Sequence, residues 1–339
     1  MVFQPKKYIE QVDKSREGRD LRPEELVGTG PFKFVRWTRG SLLEMERNPT
    51  YFRKGLPYLE RLQVAEMPDP DELKRVLGDK VTFVEIGGLG WTGFMPNTTK
   101  PPFNSRDLRW ALNLALDRKE INALANDGVG RISGPYFGIW DWIYSFDDYW
   151  TWPGFRTDKK AEDLAEARRV LERLGFTASA PLRFELLCPT AGFLLRQCEV
   201  GREQWKKVGV DAVVLKTDEA TRTARGARAD FDVGAWTFGA EMDDPDAFNT
   251  SMFLPGTRNY GRWENRQWLD LYAKQRLEVN RSQRGQMLKQ MARTMHEESA
   301  FIGTVRPTLF QGWYSFVQGF VPPRYHHQGY NFEEVWLDR

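Results

Sequence analysis

Between Leu182 and Phe238 the chain switches repeatedly between two hydrophobic periods, and this rhythm restricts its fold more than any other feature. Leu182 to Leu187 is a short apolar run of strand type, Leu194 to Val208 carries apolar residues at helical spacing, and Ala212 to Leu215 is strand-like again. A helix-like stretch from Glu219 to Arg228 then leads to another strand, Phe231 to Phe238. Strands joined through a helix pair in parallel with a right-handed crossover. The segment therefore predicts an α/β lobe with helices laid on a largely parallel sheet.

The flanking sequence extends this lobe and adds a second region. Asn104 or Ser105 can cap a helix through Leu108, Ala111, Leu112 and Ala115, and Asp117 with Glu120 marks the next helix in the manner of a capping box. Asp158 to Leu174 keeps the helical period and stops at Gly175, where a helix end favours positive φ. Residues 264 to 299 predict two helices on the outside of the lobe, with His296, Glu297 and Glu298 as a solvated face. Residues 26 to 66 read differently, as strands at Phe32–Trp37, Leu42–Glu46 and Leu62–Ala65, with a hairpin turn at Thr38-Arg39-Gly40-Ser41. Val81 to Ile86 and Trp91 to Met95 are further strands, separated by Gly87, Gly88 and Gly90. The C-terminal run from Phe301 returns to strand and turn.

At 339 residues, two lobes with separate cores are the expectation. The 49 basic and 47 acidic residues are interspersed, so there is no basic stripe of the kind a nucleic acid needs. No run approaches the ~20 apolar residues that span a bilayer, and Met1 is not followed by the basic and apolar regions of a signal peptide. Cys188 ends a strand-like run and Cys198 lies within a helix-like one, so the two need not face each other and free thiols are expected. The three histidines, His296, His326 and His327, lack zinc-site spacing. There is no nucleophile elbow, and Gly28-Thr29-Gly30-Pro31 lacks the Lys-Ser/Thr ending of a phosphate loop.

Two clusters remain as candidates for binding. Glu241, Asp243, Asp244 and Asp246 follow directly on the strand ending at Phe238, and ligands of α/β sheets gather at the carboxyl ends of strands. Carboxylates there can hold a cationic group by charge-assisted hydrogen bonds. Alternatively the run is a solvated loop in which Asp244 or Asp246 caps a following helix. The aromatic stretch Tyr136, Phe137, Trp140, Trp142, Tyr144, Phe146, Tyr149, Trp150 and Trp152 reads either as packing or as a flap over a ligand.

Several ordered motifs then carry a resemblance. Val27-Gly28-Thr29-Gly30-Pro31-Phe32-Lys33-Phe34, Glu46-Arg47-Asn48-Pro49 with Tyr51-Phe52, and Gly55-Leu56-Pro57-Tyr58-Leu59 resemble the signature stretch of the family 5 (peptide/nickel-binding) extracellular solute-binding proteins. Asn97-Thr98-Thr99-Lys100-Pro101-Pro102-Phe103, Arg109-Trp110-Ala111-Leu112-Asn113, Asp117-Arg118, Gln204 to Val210 and Val335-Trp336-Leu337 follow in the family's order.

The resemblance implies an α/β, two-lobed periplasmic-binding-protein-like fold (class II, peptide-binding type). It places lobe I at 1–92 and 305–339, lobe II at 93–304, and hinge strands near Trp91–Met95 and Gly303–Pro307. Lobe I is expected to be incomplete, lacking the family's long N-terminal portion, and shortened between Asp69 and Val81, where the family has a helix and a Gly-containing strand. The implied function is that of the solute-binding component of an ABC importer, periplasmic or on the extracellular surface. Such a protein is a monomer without a cofactor, and it takes a peptide or similar cationic-headed solute and hands it to a membrane permease. The ligand residues implied are Trp236, Phe238, Gly239, Glu241, Asp243 and Asn259. Glu241, four residues before Pro245, stands where peptide-binding members have an Asp for the ligand's ammonium. The alternative is a carbohydrate-active hydrolase, or an oligosaccharide-binding protein, that uses the carboxylates and tryptophans.

Overall fold

A computed structural model describes residues 27–38, 41–65, 70–86, 90–132, 134–136, 140, 142–239, 244–256, 258–306, 308–322 and 330–338. The expected turn residues Arg39 and Gly40, together with Gly87, Gly88, Phe137, Glu241, Asp243, His326 and His327, lie outside the described residues. In chain order the strands are β1 (Phe32–Thr38), β2 (Leu42–Arg47), β3 (Arg61–Ala65), β4 (Val81–Ile86), β5 (Gly90–Pro96), β6 (Arg131–Ile132), β7 (Leu182–Cys188), β8 (Val210–Lys216), β9 (Val233–Gly239), β10 (Ile302–Gly303), β11 (Val305–Arg306), β12 (Leu309–Tyr314), β13 (Val317–Gln318) and β14 (Trp336–Leu337). The helices are α1 (Pro70–Leu77), α2 (Arg106–Leu114), α3 (Arg118–Ala125), α4 (Phe146–Tyr149), α5 (Lys160–Arg173), α6 (Gly192–Lys206), α7 (Glu219–Ala227), α8 (Pro245–Met252), α9 (Arg266–Gln275) and α10 (Arg281–Glu297).

The chain divides into two units, with boundaries after Ile86 and after Thr308. The expected boundaries were 92/93 and 304/305. The difference arises because β5 pairs along all seven of its residues with β9, from Gly90↔Gly239 to Pro96↔Val233. Its ladder therefore belongs wholly to the larger unit.

The smaller unit contains the antiparallel meander β1-β2-β3 and the pairs β4–β12 and β13–β14. In the meander, Phe34, Met45 and Leu62 stand in register on one face beside Trp37, Leu43 and Val64. The opposite face carries the Arg36–Glu44 ion pair, with Gln63 donating to the same carboxylate at 2.7 Å. This is the period-two pattern of a sheet with one apolar side. Helix α1 occupies most of the segment between Asp69 and Val81.

The larger unit is built on one sheet of order β10-β5-β9-β7-β8. β7 runs parallel to both β8 and β9, as the strand–helix–strand rhythm predicted, while β5 runs antiparallel to β9 and to β10. Each face of this sheet has its own core. Leu182, Phe184, Leu186 and Cys188 of β7 turn toward α2, α3, α5 and α6, where Phe94 packs on Trp205 at 4.9 Å. Trp91, Met95, Trp236 and Phe238 turn the other way, toward α8, α9, α10 and the aromatic stretch. At Gly93 a Cβ would lie 2.2 Å from the Ile302 carbonyl oxygen, so only glycine lets β10 close against β5.

Local signals set the helix ends. Ser105 accepts from the Leu108 amide and Asp117 from those of Lys119 and Glu120. Glu120 does not complete the capping box, because its carboxylate accepts from Gln204 Nε2 at 2.7 Å instead. Gly175 adopts φ +89° after α5, and that helix begins at Lys160, two residues later than expected, without a side-chain cap. Arg118 is wholly buried and donates to the carbonyls of Gly303, Asn113, Leu116 and Gly154. This satisfies a guanidinium that burial pushes down to about 9.

His296 corrects the prediction of a solvated face. It lies on the inner stripe of α10 with Leu288, Met291, Ala292 and Met295, and is buried. Its ring sits 4.9 Å from Trp152 and 5.4 Å from Trp110, with Nε2 3.0 Å from the Pro153 carbonyl. Burial, reinforced by the charge of Arg118, pushes its pKa down to about 3, so the ring is neutral and donates that hydrogen bond.

Candidate functional site

The region singled out by the sequence is the carboxyl end of β9 and the start of α8. β9 is the third strand of five, and its alternation sends Trp236 and Phe238 to one face. Both are buried there. Trp236 packs against Phe231 at 4.9 Å and Tyr260 at 5.2 Å, and Phe238 against Phe301 at 5.9 Å. These two side chains therefore sit in the core behind the strand end, and Gly239 closes the ladder opposite Gly90. Among the described residues the indole Nε1 of Trp236 has no hydrogen-bond partner.

Asn259 is also buried, and its amide donates to the Trp263 carbonyl at 2.8 Å, which shapes the loop ahead of α9.

The acidic run is divided by the fold. Asp244 is the N-cap of α8, accepting from the Asp246 amide at 2.8 Å, and Pro245 occupies the first helical turn, where it costs no hydrogen bond. The same carboxylate receives a two-pronged bond from Arg284 at 2.7 and 2.8 Å. Partial burial opposes ionisation of Asp244, but Arg284 and the Asp246 amide outweigh it and hold the carboxyl below its ordinary range. Asp246 accepts from Gln275 Nε2 at 2.8 Å and pairs with Arg276 at 3.3 Å, while Gln275 Oε1 receives Arg284 Nε at 2.9 Å. Tyr136 completes the anchoring of α8 with a 2.9 Å bond to Asn249 Oδ1. Asp244 and Asp246 thus act as the capping and anchoring carboxylates. Arg284 and Gln275 are not foreseeable from the acidic run, because their helices come later in the chain.

The aromatic stretch resolves toward packing. Tyr136, Trp140, Tyr149 and Trp152 are buried, and α10 covers their neighbours with cations. Arg281 and Arg284 lie over Trp142 at 5.1 and 5.9 Å, and Arg293 lies over Trp152 at 3.9 Å. Among the described residues no group of three or more His, Cys, Asp or Glu is disposed to hold a metal ion, and no helix is long and apolar enough to cross a membrane.

Comparison with known proteins agrees with this architecture. The model of the bacterial extracellular solute-binding proteins, family 5 (middle region), matches residues 1–80 and 65–260. The chain is 24% identical to heme-binding protein A of Haemophilus influenzae over 90% of its own length and 58% of the relative's. It is 25% identical to the oligopeptide-binding protein AppA of Bacillus subtilis, covering 95% and 64%. For the dipeptide-binding protein of Escherichia coli the identity is 23%, with 98% and 65% covered. The chain thus spans about three-fifths of the length of these relatives.

Among solved structures, Haemophilus influenzae OppA in complex with RPPGFSPFR superposes with a TM-score of 0.77 at 17% identity, over 98% of this chain and 68% of that one. Bacillus subtilis AppA in complex with a nonapeptide gives 0.75 at 19%, over 99% and 72%. The fold is that of the peptide-binding type of periplasmic binding proteins, and the carbohydrate-hydrolase alternative gains no support. By its matched length, the chain belongs to the bacterial extracellular solute-binding proteins, family 5.

Proposed function

We propose that this protein is the solute-binding component of an ABC importer, working outside the cytoplasmic membrane and passing a peptide or similar cationic-headed solute to a membrane permease. The observation that carries the reading is the family match, which covers the end of β9 and its acidic run. Relatives named for oligopeptides and dipeptides, and neighbours solved with bound peptides, support the choice of solute class.

Within the run, Asp244 and Asp246 already serve α8, so we assign the ligand ammonium to Glu241, with Asp243 beside it. Trp236, Phe238 and Gly239 belong to β9, the strand that precedes the run in sequence, and Asn259 orders the loop ahead of α9. Glu in place of the family's Asp keeps the charge and lengthens the reach by one methylene, which favours a ligand amine set farther from the strand end.

Titration calorimetry with a di- to pentapeptide library tests this. Binding by at least one peptide, weakened about 10- to 100-fold in Glu241→Gln, is expected, since a charge-assisted hydrogen bond contributes roughly 1.5–3 kcal/mol. Absence of heat from the whole library with folded protein would overturn it.

A further inference from the structure

The turn between α9 and α10 carries the two most exposed large apolar side chains among the described residues, Leu277 at 85% and Val279 at 98%. Single exposed apolar residues are ordinary, but these stand two positions apart at one tip. The turn is well formed: the Leu277 amide donates to the Lys274 carbonyl at 3.1 Å, and Asn280 caps α10 by accepting from the amides of Ser282 and Gln283. Glu278, between the two apolar residues, is folded back, and its carboxylate accepts from the Asn280 amide at 2.7 Å. Behind the tip, α10 carries cations at multiples of four residues, Arg281, Lys289 and Arg293, along about 18 Å of helix. Arg281 lies over Trp142 at 5.1 Å, and Lys289 and Arg293 both lie over Tyr144 at 5.7 Å, the two rings being half-buried. Arg284 is taken up by Asp244, whereas these three cations have no carboxylate within ion-pair distance among the described residues. The acidic residue of α10 is Glu297, its last.

We propose that the α9–α10 turn and the cation stripe behind it form a contact surface for an anionic lipid bilayer. Leu277 and Val279 enter the boundary between headgroups and acyl chains, and Arg281, Lys289 and Arg293 meet the lipid phosphates. Trp142 and Tyr144, apolar rings with one polar end, suit the same boundary. An acidic protein surface would match the cations but leave the two apolar side chains in water, so a bilayer accounts for both features. The root of the turn is fixed, because Gln275 and Arg284 bond to Asp246 and Asp244 of α8. The tip is thus presented on a rigid support, which keeps the entropy cost of docking low. The role in the cell, holding the chain close to the membrane, rests on the extracytoplasmic setting proposed above; the affinity for lipid does not.

The test mixes the whole chain with vesicles of equal parts phosphatidylglycerol and phosphatidylcholine, or of phosphatidylcholine alone, and reads the bound fraction by flotation. Binding to the anionic vesicles at low salt is expected, at least about 10-fold stronger than to the neutral ones and lost at high salt. Leu277→Ser with Val279→Ser should weaken it at least about 10-fold, and Arg281→Gln with Lys289→Gln by a similar factor. The Ser pair replaces side chains that touch little else, so its urea unfolding should match the wild type's and separate lost docking from lost folding. Absence of binding to anionic vesicles, or equal binding by the Ser pair, would overturn the proposal. So would binding of poly-glutamate in place of the vesicles, which would mark an acidic protein partner, or self-association that the Ser pair abolishes, which would mark a second copy of the chain. Peptide calorimetry is run without lipid, so failure of either test leaves the other reading standing.

Discussion

The buried imidazole of His296 makes a quantitative prediction about acid. In the unfolded chain a histidine titrates near 6.5, whereas burial beneath Trp110 and Trp152, beside the charge of Arg118, lowers the folded value to about 3. A depressed base leaves the folded state carrying fewer protons than the unfolded state between those two values. Its contribution to stability is therefore complete above pH 6.5 and is lost as pH falls toward 3. At pH 4.5 the unfolded ring is about 100-fold in favour of its charged form while the folded ring is almost all neutral, and two pH units at about 1.4 kcal/mol each amount to about 3 kcal/mol. Replacing His296 with Gln keeps a donor for the Pro153 carbonyl and removes the titration. Urea unfolding followed by tryptophan fluorescence at pH 7.5 and 4.5 should show the wild type losing about 3 kcal/mol more than His296→Gln over that interval. Lys160, whose amine burial holds down to about 8, titrates above this window and does not blur the comparison. Parallel pH profiles for the two proteins would refute the reasoning, because they would mean that His296 has the same affinity for a proton folded and unfolded.

Other outcomes follow from single contacts. Arg284→Met strips the two-pronged partner from Asp244 and should cost about 1–2 kcal/mol in urea unfolding, with Asp244→Asn recovering part of the loss in the double variant. Gly93→Ala sets a methyl group against the Ile302 carbonyl and the Gly303 backbone, neither of which can swing aside, so a loss of at least about 3 kcal/mol or of soluble protein is expected. A change under about 1 kcal/mol would show that β10 is not fixed against β5. Trp205→Phe removes the 2.9 Å bond from the indole to the Leu112 carbonyl in a fully buried place and should destabilise by about 2 kcal/mol, read in the same unfolding assay.

What was legible in the sequence and what was not divide along the range of the interaction concerned. The strand–helix–strand rhythm from 182 to 238, the caps at Ser105 and Asp117 and the stop at Gly175 depend on residues within a turn or two of one another, and all were readable. His296 was misread because its own neighbours, Glu297 and Glu298, are acidic, while the rings that bury it come from positions 110 and 152. The acidic run shows the limit most sharply. Local sequence offers Asp244 or Asp246 as the cap of the following helix, but nothing nearby says which other groups hold them. Those groups are Gln275, 29 positions after Asp246, and Arg284, 40 positions after Asp244. A carboxylate already neutralised by a fixed guanidinium has less left to offer a ligand's ammonium. The tertiary placement of Arg284 therefore bears as directly on the choice of solute-binding residue as the acidic run itself.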